Sequence, residues 1–438
     1  MCDNNLQLQN QTDKMGTTVR LDLSNREFCK TKHDNVTFED TPFCPAVWDQ
    51  VLCWPPTKGG LTSTQSCPNH HGVDPSRLVS KRCLENGKWE GIGETGWTNY
   101  TTCYSPDLIQ LFKKLFTGPY SHDAIKMKYQ IAERTRTLEI YGFSISLAAL
   151  FISLYIFSHF RVLKNNRTKI HKNLFAAMVA QAVIRLTLYV DQAIIRARKV
   201  QGIDNTPILC EASYVLLEYA RTAMFMWMFI EGLYLHNVVS VRVFQETFHY
   251  KLYTSLGWGA PVIMTSAWAV TLAVQMKTEC WWGYNLSIYF WILEGPRFAV
   301  VILNFLFLLN IIRVLVVKLR QSHTNEIEQV RKAVRAAVVL LPLLGITNLA
   351  NMLGAPLDRQ VWEFAAWSYA THFLTSFQGF FVAALYCFLN GEVRNALRKS
   401  IYTYLSRRSR QFTPRRNSAY ASVGCSRPEQ HPESVLFM

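Results

Sequence analysis

Charged residues are scarce in this 438-residue sequence, because 18% of the positions are Asp, Glu, Lys or Arg, against about 25% in soluble proteins. The sequence also lacks a P-loop, an H-E-x-x-H motif and any Ser, His and Asp set that stands out. We therefore expect no enzymatic activity and no cofactor. No apolar core follows Met1, so no signal peptide is visible, and we expect a truncated or alternative start.

The abundant residues are apolar and basic. Hydrophobic residues make up 49% of the chain, aromatic residues 13%, and Lys and Arg exceed Asp and Glu by 46 to 31. The aromatic content excludes a disordered chain. Such a charge is typical of a nucleic-acid-binding surface or of a membrane protein with basic cytoplasmic loops. Residues 1–137 hold 16 basic and 15 acidic residues, which leaves 30 and 16 for residues 138–438. Because the second part is also the apolar part, we expect a membrane protein and no nucleic-acid partner.

Seven apolar stretches in this second part predict membrane spans, since each supplies the roughly 20 mostly apolar residues that a bilayer requires. They cover about residues 138–160, 174–196, 208–238, 252–275, 288–316, 336–354 and 363–388. The third contains several polar groups and has the weaker signal. The two halves show no internal repeat, which disfavours a transporter.

The loops between the spans predict the orientation. If the segment before the first span is extracellular, the loops 161–173, 239–251 and 317–335 are cytoplasmic, and they hold 12 Lys and Arg. The outer loops hold four: Arg198, Lys199, Lys277 and Arg359. This asymmetry is the positive-inside pattern. We expect a multi-pass plasma-membrane protein with an extracellular amino terminus and a cytoplasmic carboxyl terminus.

Cysteines and sequons support a secreted first domain. Six cysteines lie close together, at Cys29, Cys44, Cys53, Cys67, Cys83 and Cys103. They indicate a disulfide framework with 15 possible pairings. Glycosylation sequons begin at Asn10, Asn35 and Asn99. A further disulfide between Cys210 and Cys280 would tie the second outer loop to the third span.

Two short motifs imitate cofactor sites without their context. Gly91-Ile-Gly93-Glu-Thr-Gly96 matches G-x-G-x-x-G, but no buried strand precedes it in the sequence pattern and no helical pattern follows. Cys67-Pro-Asn-His70-His71 has no second cluster at zinc-finger spacing. We predict a glycine-rich loop, surface histidines and no metal site.

Polar side chains at membrane depth are costly and mark functional sites. One group lies towards the outer ends of the spans and would line an outward-facing ligand cavity, together with Trp282 of the second outer loop. Its members are Tyr141, Gln181, Arg185, Tyr189, Asp191, Glu218, Arg221, Glu294, Arg297, Glu363 and His372. The alternative is that these residues form salt bridges that hold helices together, as Glu218 and Arg221 would at i, i+3.

A second polar group lies at the cytoplasmic ends. His171, Glu231 and Tyr386 would form a hydrogen-bond network that locks three spans together, with Arg167 and Glu392 just beyond. In the sixth span, Pro342 and Gly345 predict a kink or a hinge.

The predicted boundaries give four segments. They are an extracellular domain at 1–125, the helix bundle at 126–389, an amphipathic helix at 390–405 and a disordered tail at 406–438. The amphipathic helix has a cationic face that suits membrane lipid of the anionic inner leaflet. Ser406, Ser409, Thr413 and Ser418 lie among arginines and could accept phosphate, which would provide a site for arrestin.

Motifs in the same order resemble the secretin-like (class B) peptide-hormone G-protein-coupled receptors over about residues 25–405. In the first domain they are Cys44-x3-Trp48-Asp49-x3-Cys53-Trp54-Pro55, Cys67-Pro68, Cys83-x3-Gly87-x-Trp89 and Asn99-Tyr100-x2-Cys103. In the spans they include Arg167-x2-Ile170-His171, Trp227-x3-Glu231-Gly232, Gly257-Trp258-Gly259-x-Pro261, Cys280-Trp281, Pro342-Leu-Leu-Gly345, Gln378-Gly379 and Tyr386 through Glu392.

The resemblance implies a fold and a mechanism. The fold would be an all-α seven-transmembrane bundle with a small disulfide-linked α/β extracellular domain, whose core includes Trp48, Asp49, Trp54, Pro55 and Trp89. The disulfides would be Cys29–Cys53, Cys44–Cys83 and Cys67–Cys103. A helical peptide hormone would bind, the inner network would break, and a stimulatory G protein would raise cyclic AMP.

Three positions depart from the family pattern. Ala337 replaces a network threonine, Gln181 a frequent arginine and Met224 a frequent asparagine. We expect the inner network to be one residue short, and the central polar network to depend on Gln378.

The seventh-span segment Trp367-Ser-Tyr-Ala-Thr-His-Phe-Leu-Thr-Ser-Phe-Gln-Gly-Phe-Phe looks most similar to invertebrate receptors for pigment-dispersing factor. The alternative is a receptor for calcitonin-like diuretic hormone. An orphan adhesion-type receptor is disfavoured, because the segment between Cys103 and Leu138 leaves no room for a self-cleavage domain.

Overall fold

The computed structural model describes residues 25–33, 41–68, 72–116, 122–198, 202–203, 206–240, 249–321 and 355–412. Several sequence predictions lie outside these ranges: Asn10, Asn35, His70, His71, Ala337, Pro342, Gly345, Thr413, Ser418 and the sixth span. The chain divides into a unit of residues 1–388 and a unit of residues 389–438, and we describe each by itself.

The first domain consists of a helix at residues 25–32 and three antiparallel strand pairs. Strand β1 (Phe43–Cys44) pairs with β4 (Thr57–Lys58), β2 (Val47–Trp48) with β3 (Cys53–Trp54), and β5 (Thr62–Ser66) with β6 (Leu78–Arg82). Four of the six strands are two residues long, so their ladders supply few hydrogen bonds. The predicted α/β character of this domain is confirmed.

Disulfides compensate for these short strands. The structure joins Cys29 to Cys53, Cys44 to Cys83, and Cys67 to Cys103, the pairing that the resemblance implies. In the chain-entropy model, loops of 24, 39 and 36 residues each contribute about 3–4 kcal/mol. The bridges surround a small core in which Trp54, Val79 and Trp89 are buried.

Long helices follow this domain. After a short helix (Pro106–Phe116), the described spans are the first (His122–His159), the second (Asn166–Arg198), the third (Pro207–Ser240) and the fifth (Trp291–Gln321). The fourth comprises Tyr250–Thr254 and Ala260–Gln275, joined by a π-helical turn, and the seventh comprises Val361–Ala383 and a π-helical turn to Phe388. A disulfide between Cys210 and Cys280 ties the second outer loop to the third span.

The first span begins at His122 and runs without a break across the predicted boundary between residues 125 and 126. The residues before the apolar stretch are mainly Ala, Lys, Met, Gln, Glu and Arg, which are good helix formers. Their charge ends the hydrophobic signal, but it does not end the helix. The helix therefore includes the residues on both sides of that predicted boundary.

Four helices in the described ranges are long and apolar enough to cross a membrane: Asp123–His159, Asn166–Ile195, Tyr250–Gln275 and Ile288–Val314. The third span is not among them, since it contains Glu218, Arg221 and Glu231. Its weaker hydropathy therefore reflects charges whose partners lie on other helices.

Small residues bring the first and seventh spans into close contact. A Cβ added at Gly142 would overlap Ser376, and one at Gly379 would lie 2.9 Å from Leu150 Cδ1. The Ser146 hydroxyl donates to the Ser376 carbonyl at 2.6 Å. These contacts bring the backbones together, as small residues do between membrane helices.

The second unit contains one described helix, Gly391–Phe412. It extends beyond the predicted end at residue 405, so the part of the tail up to Phe412 is helical and not irregular. Arginine and glutamine favour helices, which fits the sequence of this extension.

Candidate functional site

Four charged side chains in the outer half of the bundle form what we call the charge cluster: Glu218 and Arg221 of the third span with Glu294 and Arg297 of the fifth. Arg297 Nη2 lies 2.6 Å from Glu218 Oε2, and Arg297 Nη1 lies 2.7 Å from Glu294 Oε1. Arg221 Nη1 lies 3.3 Å from Glu294 Oε1 and 3.8 Å from Glu218 Oε1. Two arginines and two glutamates therefore neutralise one another between two spans.

Further hydrogen bonds complete the charge cluster. Arg297 donates to the Thr222 hydroxyl at 2.6 Å and to the Glu218 carbonyl at 3.0 Å, and Tyr284 of the second outer loop donates to Glu218 at 3.2 Å. Glu218, Glu294 and Arg297 are buried, at 2%, 1% and 1% exposure. A buried ion pair needs such partners, and within the described ranges these three residues link the third and fifth spans.

A second set of polar residues, which we call the first-span cluster, joins the first, second and seventh spans. It consists of Arg136, Glu139, Arg185, Tyr189, Gln192 and His372. Tyr189 hydrogen-bonds to Glu139, and Arg136 to Gln192, while the Arg136 guanidinium lies 5.2 Å from the centre of the Tyr189 ring. Arg185 lies beside Tyr189 and within electrostatic range of Glu139. His372 also lies within electrostatic range of Glu139.

Other candidate ligand residues lie apart from both clusters. Tyr141 is 65% exposed, on the opposite side of the first span from its buried residues. Asp191 accepts a hydrogen bond from the backbone N–H of Ile203 at 2.9 Å. Glu363 lies in the first turn of the seventh span, nine residues before His372 and therefore half a turn out of phase with it. Trp282 is 43% exposed, and its ring lies against Gly72 of the first domain.

Gln181 and Gln378 lie deeper, where they line a small cavity of about 20 Å³. Both are buried, and Met224 lines the same cavity. Gln378 Nε2 has Met228 Sδ as a partner at 4.0 Å, which is a weak acceptor. Gln181 and Met224, two of the departures from the family pattern, thus line the same cavity. The contact between the Gln378 amide and the Met228 sulfur there is weaker than a hydrogen bond between two strongly polar groups.

The inner group of three, His171, Glu231 and Tyr386, lies at the cytoplasmic ends of the spans. His171 Nδ1 lies 3.2 Å from Glu231 Oε1. The rings of His171 and Tyr386 are 4.1 Å apart between centroids, and the Tyr386 hydroxyl interacts with the Glu231 carboxylate. The network therefore joins the second, third and seventh spans.

Two further predicted switch residues are Arg167 and Glu392. Arg167 is exposed and lies within electrostatic range of Glu231. Glu392 belongs to the second unit, where its backbone N–H donates to Asn390 at 2.9 Å.

In the first domain, Asp49 organises the core. It accepts hydrogen bonds from five donors: the Val51 and Leu52 backbone N–H groups, the Trp54 indole, and the Thr98 and Tyr100 hydroxyls. Burial raises the pKa of this carboxyl, but the hydrogen bonds outweigh burial, so the pKa lies below its usual range.

The other predicted core residues surround this carboxylate. Trp54 and Trp89 are buried, and the Trp89 indole donates to the Pro45 carbonyl at 2.9 Å. Trp48 pairs with Cys53 across the β2–β3 ladder, and the Pro55 carbonyl accepts from Thr57. These contacts make the motif around Asp49 a structural unit.

Sequence reasoning missed several site residues. Arg136 and Glu139 were overlooked, although helical phase places them one turn apart on the face that meets the second span. Lys128 is buried and donates to the Leu357 and Arg359 carbonyls, at 2.7 and 2.9 Å. Lys81 is buried against Asp49, at 4.0 Å. No local signal distinguishes these two lysines from exposed ones.

Two family models match this chain. Residues 132–382 match the 7 transmembrane receptor (Secretin family), and residues 41–106 match the hormone receptor domain. The chain therefore belongs to the secretin family of seven-transmembrane receptors, which is a family of receptors and not of enzymes.

Individual relatives narrow the comparison. The chain is 54% identical to the PDF receptor of Drosophila melanogaster over 425 residues, covering 93% of this chain and 62% of that protein. It is 35% identical to Calcitonin receptor-like protein 1 of Caenorhabditis elegans, covering 88% of this chain and 74% of that protein. It is also 35% identical to the human Calcitonin receptor, covering 82% and 71%. The predicted resemblance to PDF receptors is confirmed.

Proposed function

We propose that this chain is a cell-surface receptor for a helical neuropeptide of the pigment-dispersing factor type, which activates a stimulatory G protein and raises cyclic AMP. The observation that carries this proposal is the 54% identity to the Drosophila PDF receptor over 93% of the chain. The 35% identity to the human Calcitonin receptor supports the wider class of peptide receptors, but it says less about which peptide binds.

In the proposed topology, the disulfide-linked domain is extracellular and the helix Gly391–Phe412 is cytoplasmic. The Cys210–Cys280 bond supports this orientation, because disulfides form in oxidising compartments. Asn99 is exposed, and its Oδ1 accepts from the Thr101 hydroxyl at 2.6 Å, which leaves its amide nitrogen for a glycan. The proposed cytoplasmic loops carry the excess of Lys and Arg.

Peptide binding would use two surfaces. The first domain would hold the carboxyl-terminal helix of the peptide in a groove. The amino-terminal part would enter the bundle beside the first-span cluster, where Arg185, Tyr189 and His372 are partly exposed. The charge cluster would serve as a fixed wall, because its members are already paired with one another.

Activation would separate the inner ends of the spans. Breaking the contacts of Glu231 with His171 and Tyr386 would release the second, third and seventh spans from one another. A hinge at Pro342 and Gly345 would then open a site for the G protein. Arg167 would border that site. The helix Gly391–Phe412 would lie on anionic lipid, and a phosphorylated tail would recruit arrestin.

The test is a cyclic AMP dose response in cells that display the chain at the surface. Pigment-dispersing factor should raise cyclic AMP at a lower concentration than calcitonin-like diuretic hormone does. A greater potency of diuretic hormone would favour that alternative ligand. No response to a broad panel of helical neuropeptides, at verified surface expression, would refute the proposed ligand class.

A further inference from the structure

The second outer loop contains a glycosylation sequon besides those at Asn10, Asn35 and Asn99. Asn285-Leu-Ser287 matches N-x-[ST], and the middle residue is not proline. Such a triplet is common by chance, so its surroundings decide whether it is a modification site. A glycosylated asparagine must lie at an exposed surface with room for a bulky sugar.

The local structure places Asn285 at such a surface. A short 3₁₀ turn covers Tyr284–Leu286 and follows Gly283. Tyr284 extends into the bundle, where its hydroxyl donates to Glu218 at 3.2 Å, whereas the side chain of Asn285 is exposed. A Cβ added at Gly283 would meet nothing within 4 Å, so the space beside the turn is open.

The polar groups of this sequon are accessible as well. In the described part of the chain, no hydrogen bond holds the side-chain amide of Asn285. The Ser287 hydroxyl oxygen accepts from the Tyr289 backbone N–H at 3.4 Å, which leaves the hydroxyl hydrogen able to donate. The folded loop therefore holds neither group in a contact that a glycan would have to break.

The disulfide of this loop indicates its compartment. Cys280 lies five residues before Asn285 and is joined to Cys210. Disulfides form in the oxidising lumen of the endoplasmic reticulum, which is also where N-linked glycans are attached. The loop that carries Asn285 is therefore on the side of the membrane where the modification occurs.

A second sequon of the bundle, Asn166-Arg-Thr168, provides an internal comparison. It lies in the loop 161–173, for which we propose a cytoplasmic position. Asn166 Oδ1 accepts from Lys169 Nζ at 3.3 Å, and Thr168 is buried. Its side chains are thus engaged or covered, and its compartment lacks the transferase, so we expect no glycan there.

We propose that Asn285 is an N-glycosylation site. The side-chain nitrogen of Asn285 attacks the anomeric carbon of an oligosaccharide that is carried on a lipid diphosphate. The nitrogen–carbon bond forms as the carbon–oxygen bond to the diphosphate breaks, and the lipid diphosphate leaves while the amide nitrogen gives up one proton. The site rests on the proposed topology, and it adds that sugar covers this face of the second outer loop.

Mass spectrometry of the receptor purified from cells tests the site. Enzymatic removal of N-linked glycans converts each modified asparagine to aspartate, and heavy-oxygen water labels the converted residue. Asn285 should carry the label and Asn166 should not. Recovery of the Asn285 peptide only in its unlabelled form would overturn the proposal.

Gel mobility provides an independent measurement. In a receptor that combines Asn10→Gln, Asn35→Gln and Asn99→Gln, removal of glycans should still shift the mobility by the mass of one glycan. Adding Ser287→Ala should abolish this shift, whereas Ser287→Thr preserves the sequon and should retain it. A triple variant without any shift would also overturn the proposal, and the labelling of the original receptor serves if the triple variant is not produced.

The outcomes separate this site from the proposed function. If Asn99 is labelled but neither Asn285 nor Asn166 is, the glycan is refuted and the proposed topology stands. If Asn166 is labelled and Asn285 is not, the loop proposed as cytoplasmic is lumenal, and both are refuted. The cyclic AMP response of the same cells to peptide tests the ligand separately from either result.

Discussion

Asp49 shows how one carboxylate can stabilise a domain with very short strands. Its five donors come from two separate segments of the chain, so one side chain replaces much of the cross-linking that a larger sheet would supply. We expect Asp49→Asn to destabilise the first domain by about 2–4 kcal/mol, because an amide mismatches these donors and leaves Lys81 buried without its carboxylate. Hydrogen exchange of residues 41–104 in the intact receptor would measure the loss.

Asp74 provides the matched control. It accepts hydrogen bonds from Ser76 and Arg77 near the surface. The free energy of unfolding obtained from the same exchange rates should therefore change by less than about 1 kcal/mol in Asp74→Asn. Equal effects of the two substitutions would contradict the central role of Asp49.

The same carboxylate predicts an acid sensitivity. The pKa of Asp49 is lower in the folded domain than the unfolded value of about 3.9. Its stabilisation is therefore complete above about pH 4–5 and is lost as the pH falls through the folded value. The unfolding temperature of the first domain should be flat from pH 7 to 5 and fall below about pH 4. In Asp49→Asn the unfolding temperature should fall less between pH 5 and the acid range than in the original domain. If both domains show the same pH dependence, the acid sensitivity does not arise from Asp49.

Among individual residues, those with a rare combination of type and depth could be predicted. His171, Glu231 and Tyr386 are polar groups at the inner ends of apolar spans, and they meet. Tyr141 and Asp191 are also polar residues in apolar spans, but Tyr141 is exposed and Asp191 contacts Ile203. Depth alone does not specify which face of a helix a residue occupies. Glu139 was missed for the related reason that its importance depends on facing Tyr189.

At the level of elements, hydropathy locates the spans but not the ends of the helices. The first span extends to His122 because propensity continues the helix after the apolar stretch ends. The third span has a weaker apolar signal than the first and fifth because it contains charged residues, which partners such as Arg297 on the fifth span neutralise. Both differences arise from information that a local hydropathy window does not contain.

The contact between the first and seventh spans gives a prediction for elements. Gly379→Ala places a methyl group 2.9 Å from Leu150 and 3.0 Å from Ser146, so the helices must separate. We expect a loss of about 1–3 kcal/mol, visible as a lower unfolding temperature of the detergent-solubilised receptor. Gly295→Ala is the control, because a Cβ there meets nothing within 4 Å, and it should be neutral. Equal stability of the two variants would mean that this helix contact is not tight.

At the scale of the whole molecule, the described contacts divide the bundle into an outer and an inner set. The outer charge cluster is a buried, self-neutralised group between the third and fifth spans, which suits a fixed support. The inner contacts of Glu231 are fewer and involve a histidine and a tyrosine, so they cost less to break.

Tyr386→Phe tests this inner contact in the whole receptor. The change removes the hydroxyl that interacts with Glu231 but keeps the ring against His171, so the closed state loses one charge-assisted hydrogen bond. We expect basal cyclic AMP at equal surface level to rise about threefold to tenfold, which corresponds to a shift of about 0.7–1.4 kcal/mol between states. Tyr155→Phe removes a hydroxyl from an exposed tyrosine of the first span and should leave basal signalling unchanged. If Tyr386→Phe also leaves it unchanged while the peptide still activates, the restraint on the inactive state must lie in contacts other than this one.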